Sequence, residues 1–126
     1  MSVAPHRRLQ LVQTEVRELE RACQSLERSV SQAGQATERS AEHLAATRKR
    51  IVAATEQCVP SADDAAIARR ITDAVTTAFT AADKSLREHW QQIRDILLRA
   101  LKRVTAELHE KRRVLRQLEL ELSRRR

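Results

Sequence analysis

The 126-residue sequence predicts an all-α fold: a long antiparallel two-helix coiled-coil hairpin, completed by further helices through oligomerisation or hetero-assembly. Three observations carry this expectation. A heptad ladder runs from Leu9 to Cys58 without a skip. Ala, Glu, Lys, Leu and Arg make up more than half of the residues, against one Gly, two Pro, one Trp, one Phe and no Tyr. Only one convincing break interrupts the helical pattern, at Val59 to Asp64. Such a composition suits long helices and offers little for strands, tight turns or an aromatic core. The length allows one domain, residues 1–126.

The first helix is expected over about residues 6–58. Pro5 is tolerated in its first turn, where amides have no intrahelical acceptor. Steps of three and four then give Leu9, Val12, Val16, Leu19, Cys23, Leu26, Val30, Ala33, Thr37, Ser40, Leu44, Thr47, Ile51, Ala54 and Cys58. A 3.5-residue repeat of this length keeps one seam facing a partner helix as the two supercoil. The stretch from Ser29 to Ser40 is weaker, with Gly34 at its centre. It reads as a hinge or as a shallow groove for a bulky residue, and the unbroken phase favours the groove. Cys23 and Cys58 both fall on the seam, about 52 Å apart along one helix, so they cannot bond within it. A small buried hydrophobe is the plainer reading, and an interchain Cys23 pair the sharper one.

The turn is expected at about residues 59–61. Pro60 drives Val59 out of the α region, Ser61 suits the N-cap, and Asp63 and Asp64 favour the positive end of a new helix. The second helix then covers about residues 62–123. Its apolar stripe runs Ile67, Ile71, Val75, Ala78, Ala82, Leu86, His89 or Trp90, Ile93, Leu97, Ala100 or Leu101, Val104 and Leu108, an eleven-residue rhythm that favours straighter packing. Heptads return through Lys111, Leu115, Leu118 and Leu122. Asp83 with Arg87, Asp95 with Arg99 and Glu107 with Lys111 are spaced for ion pairs one turn apart.

A short link makes the helices antiparallel neighbours, in a register where paired numbers sum to about 121. Three expectations follow from that register. Trp90 falls opposite the small residues around Ala33 and Gly34. Trp90, Ile93, Ile96, Leu97 and Leu101, with Leu98 beside them, form an apolar face too wide for one partner helix to cover. Residues 113–126 overhang the start of the first helix, so Leu115, Leu118, Leu120 and Leu122 become a partner-binding surface.

The formal charge is +7, and residues 102–126 carry nine Lys or Arg against four acids. In a hairpin, Arg7, Arg8, Lys111, Arg112, Arg113, Arg116, Arg124, Arg125 and Arg126 gather into one basic end. Arginine bonds phosphate or carboxylate bidentately, and it also lines ordinary solvated helix faces. With no aromatic residues to stack on bases, such an end would contact nucleic-acid backbone and not base sequence.

No catalytic motif is present: no Gly-rich phosphate loop, His-Glu-x-x-His, Cys-x-x-Cys or nucleophile elbow. Glu42-His43, Glu88-His89 and His109-Glu110 are sequence neighbours that point about 100° apart on a helix, so they read as structural. No cofactor and no metal are expected. The N-terminus lacks a signal-peptide core and no run is long enough to span a membrane, which makes an intracellular, cytoplasmic protein the expectation. The sequence therefore points to a non-catalytic structural or adaptor protein that assembles with itself or with other coiled-coil subunits. The alternative is a nucleic-acid-binding module, or one meeting an anionic surface, through the basic end.

Overall fold

A computed structural model describes residues 3–57 and 62–125. It is all-helical: α1 spans Val3–Gln57 and α2 spans Ala62–Arg124, and the two pack against each other. The expected turn residues Val59, Pro60 and Ser61, together with Cys58 and Arg126, lie outside the described residues. α1 passes through Gly34 without interruption, so the chain is not split there into two helices. Several hydroxyls in α1 and α2 are satisfied locally. Thr14, Ser29, Thr37, Thr55 and Thr80 each donate to the carbonyl four residues earlier, at 2.8 to 3.0 Å. This back-bonding lets hydroxyl residues sit inside a helix without leaving a polar group unmet.

The chain divides into two compact units, one made of residues 1–31 and 95–126, the other of residues 32–94. The first unit holds a true core. Val12, Val16 and Cys23 of α1 and Leu108 and Leu118 of α2 are buried, with Leu9, Leu19, Leu101, Val104, Val114 and Leu115 packed around them. On α1 these are the heptad positions from Leu9 to Cys23, so the seam read from the sequence is the seam that packs. Each fully buried Val or Leu contributes about 1.5 to 3 kcal/mol. The two segments run antiparallel: Cys23 Sγ lies 3.8 Å from Thr105 Oγ1, and Ala4, Pro5 and Arg8 share a concavity with Leu118, Leu122 and Arg125.

The register of this unit corrects the expected one. Glu15 meets Lys111, Cys23 meets Thr105 and Glu20 meets Arg112, so paired numbers sum to 126, 128 and 132. The earlier figure came from the shortness of the link alone. Side-chain fit sets the register instead, because sliding the helices would pull Leu108 and Leu118 off Val12 and Val16. One consequence is that residues 113–124 do not overhang. They lie alongside the first turns of α1, which begins at Val3.

The unit of residues 32–94 is built differently. Ala33 is its only buried residue among those described. Residues 41–48 lie against 79–87, and residues 51–55 against 64–71, again antiparallel. The half-buried positions of α2 here are Asp64, Ala68, Thr72, Val75, Thr76, Phe79, Asp83, Leu86, Trp90 and Ile93. Of the expected stripe, Val75, Leu86, Trp90 and Ile93 are half-buried, whereas Ile67, Ile71, Ala78 and Ala82 are exposed. Around residues 67–71 and 78–82 the buried side of the helix is thus turned by roughly one residue, about 100°, from the expected phase. Phe79 accounts for this: as the bulkiest side chain of its stretch it gains most from cover, and it lines a shared concavity with Leu44. Bringing Phe79 inward turns Ile67 and Ile71 out.

Candidate interaction surfaces

The four leucines expected to form a docking overhang separate in the structure. Leu118 is buried, with 8% of its surface accessible, and belongs to the core. Leu115 and Leu122 are half-buried, Leu115 against that core and Leu122 in concavities shared with Pro5, His6 and Leu9. Leu120 alone is exposed, at 52%. The premise of the overhang is therefore corrected. α1 covers these side chains, because the true register brings its first two turns level with them.

The basic end is divided between ion pairs and free charge. Lys111 Nζ lies 2.7 Å from Glu15 Oε2, and Arg112 reaches Glu20 across the helices at 3.2 Å. Arg113 pairs with Glu110 on its own helix through Nε and Nη2. The expected Glu107 to Lys111 pair gives way to the cross-helix one, while Asp83 and Arg87 do pair at 2.9 Å. Glu15 Oε2 is shielded from solvent yet finds no aligned hydrogen-bond donor. We read its contact with Lys111 as a charge interaction, since 2.7 Å is well within ion-pair range. Lys111 occupies a seam position of α2, so this pair stands where an apolar residue would otherwise sit. A polar residue at a single seam position specifies register at some cost in stability.

Arg113 draws the Glu110 carboxyl below the ordinary carboxylate range, first through its hydrogen bond and then through its charge, and Glu110 raises the Arg113 guanidinium in turn. Arg7, Arg8, Arg116, Arg124 and Arg125 are exposed, and among the described residues none lies within ion-pair distance of a carboxylate. Arg8 and Arg125 line one shallow concavity with Glu121. The structure thus brings cations from both ends of the chain together, and it removes three of the nine expected ones by pairing them.

The wide apolar face is partly covered. In the unit of residues 32–94, Trp90 and Ile93 are half-buried, and the His89 ring stands edge-on to the indole with centroids 6.1 Å apart. In the other unit Leu97 and Leu101 are half-buried, while Ile96 and Leu98 stay exposed. The expected meeting of Trp90 with Gly34 does not occur. A Cβ added at Gly34 would meet nothing within 4 Å.

The apolar surface that sequence reasoning missed lies elsewhere. Ile51, Ile67 and Ile71 line one groove and are 37%, 56% and 45% exposed. The signal that pointed to it was the single Phe: Phe79 stands in phase with Ala68, not with Ile67. Among the described residues no three His, Cys, Asp or Glu side chains converge on a metal-sized space, and no helix is long and apolar enough to cross a membrane. No protein-family model, curated protein or solved structure matches this chain.

Proposed function

We propose that this chain is a non-catalytic structural or adaptor protein, which assembles with itself or with other helical subunits. One observation carries the proposal. In the unit of residues 32–94 the large aliphatic side chains Ile51, Ile67 and Ile71 face solvent together, while the only buried residue described there is Ala33. Two helices meeting along one seam cannot cover a groove of this width, and a further helix can. Leaving three isoleucines partly hydrated forgoes about 1 kcal/mol or more for each, which association recovers. The test is sedimentation equilibrium combined with thermal melting over a hundredfold concentration range. Assembly of the chain with itself raises both mass and melting temperature with concentration. A constant monomer mass and a constant melting temperature refute self-assembly.

A second reading rests on a separate observation, the juxtaposition of Arg8 with Arg125 beside exposed Arg7, Arg116 and Arg124. In it, this end contacts a nucleic-acid backbone or another anionic surface. Each phosphate neutralised on duplex DNA contributes about −0.9 to the slope of log affinity against log salt. Four or five contacts therefore predict a slope of about −4. Absence of binding to duplex DNA near physiological salt removes this reading and leaves the assembly reading untouched.

A further inference from the structure

The exposed face of α2 between residues 67 and 85 carries a regular pattern of its own. Ile67, Ile71, Ala74, Ala78, Ala81 and Ser85 follow one another in steps of four and three, and all six are exposed. At 100° per residue they lie within an arc of about 80°. No charged residue of that stretch falls inside the arc, since Arg69, Arg70, Asp73, Asp83 and Lys84 all project outside it. This is a second heptad seam on a helix whose first seam, through Ala68, Thr72, Phe79 and Leu86, already faces α1. A seam of this period suits a helix as its complement, and alanines let two helix backbones approach closely.

We infer that this seam pairs with the same seam of a second copy of the chain, running antiparallel to it. The inference rests on the assembly reading above and names its partner and surface. The order of sizes along the seam points to a copy. Two isoleucines stand at one end and four small residues fill the rest. In a parallel pair isoleucine would meet isoleucine, and alanine would face alanine across a gap. In an antiparallel pair Ile67 and Ile71 of each copy lie over the small residues of the other, so one seam supplies both the bulk and the space to receive it. Nineteen residues give about 28 Å of contact, burying on the order of 1,000 Å² in total, which is near the lower limit for a specific dimer. Ile51, exposed beside Ile67 and Ile71 in the same groove, extends that contact onto α1. An interface of that size places the dimer at the weak end of specific association.

The experiment is sedimentation equilibrium of the full chain from about 1 to 200 μM, a range that brackets micromolar dissociation constants. It compares the unaltered chain with Ala78→Glu, in the seam, and Ala65→Glu, exposed on the same helix about 160° away. Both sites face solvent, and circular dichroism confirms that each variant keeps its helicity. The expected result is a mass approaching twice the 14.4 kDa chain mass for the unaltered chain and Ala65→Glu. Ala78→Glu should lose at least tenfold in affinity. Association that Ala78→Glu leaves intact overturns this seam but not the assembly reading. A helical chain that stays monomeric across the range overturns the inference and removes self-assembly from that reading as well. Strand order is read by oxidative crosslinking of Ala74→Cys and Ser85→Cys, each in a Cys23→Ala, Cys58→Ala background. Antiparallel packing brings residue 74 close to its own copy and holds residue 85 far from its copy. A disulfide at 74 without one at 85 supports the assignment, and any other pattern overturns the antiparallel order.

Discussion

Replacing Leu118 by alanine separates a core role from a docking role for the end of α2. Leu118 is 8% exposed and packs in the cluster of Val12, Val16, Cys23 and Leu108, whereas Leu120, two residues on, is 52% exposed. Burial of a leucine followed by truncation to alanine costs about 2 to 5 kcal/mol, depending on how far the surroundings close over the space. Here the site borders an open concavity lined by Pro5, Arg8 and Leu122, so water and neighbouring side chains can fill part of the gap. That places Leu118→Ala near the lower end, about 2 to 3 kcal/mol. Leu120→Ala should cost less than about 0.5 kcal/mol, as expected of an exposed position. Urea denaturation followed by circular dichroism at one fixed protein concentration measures both, and the midpoints convert to free energies if the slopes agree. The register described above is refuted if the two variants lose the same small amount of stability. A Leu118 left without intramolecular cover would give that result.

The other predictions concern the seam, Gly34 and the one perturbed carboxyl. A double-mutant cycle on Glu15→Gln and Lys111→Met should return a coupling of about 0.5 to 1 kcal/mol that fades in high salt, because both side chains are more than a third exposed; no coupling would mean that the pair plays no part in register. Gly34→Ala should stabilise the chain by up to about 1 kcal/mol, since a Cβ there meets open space and alanine is the better helix former. Gly34→Leu should be tolerated with Trp90 fluorescence unchanged, and a shifted emission maximum would restore the packing of Trp90 onto Gly34. Arg113→Ala should return the Glu110 titration, followed by NMR, upward to the ordinary carboxylate range. The folded-state value is depressed, so the pair contributes above the unfolded carboxyl pKa and its contribution is lost as pH falls through the folded value. An unmoved titration would show that Arg113 is not the cause.

Much of the fold was legible because heptads report which side of a helix packs. Leu9, Val12, Val16, Leu19 and Cys23 were readable as a seam from spacing alone, and they form one wall of the core. The register was not legible in the same way. Equivalent heptad positions recur every seven residues, so a helix slid by one repeat still presents an apolar seam, and the choice rests on individual fits such as Glu15 with Lys111. The rotation of α2 near Ile67 was ambiguous for a related reason. That stretch carries two apolar stripes about 100° apart, and periodicity favours the one with more aliphatic bulk. The structure places the stripe containing Phe79 against α1, because enclosing one aromatic ring outweighs enclosing isoleucines at the end of the seam. The surface of interest was therefore hidden by a wrong phase, not by any lack of signal.

The division of the chain into a unit with a core and a unit without one follows from where its large and small residues lie, and it bears on function. Residues 1–31 and 95–126 hold the buried Val, Leu and Cys of the core and cross-helix ion pairs of Glu15 with Lys111 and Glu20 with Arg112. This unit has what a helix pair needs to form within one chain: apolar burial for stability and a charged seam position for register. Residues 32–94 hold Gly34, many alanines and several hydroxyl residues along α1, and Ile51, Ile67 and Ile71 face outward. Small seam residues leave little area to bury between two helices, so such a pair has less to hold it together and more to gain from a third helix. If bulk had been lost there without purpose, exposed positions should be polar. Instead, Ile67 and Ile71 head a heptad seam that carries no charge as far as Ser85. An uncharged, regularly spaced face on the unit with the least core of its own is the arrangement expected when association, and not the hairpin alone, completes the packing.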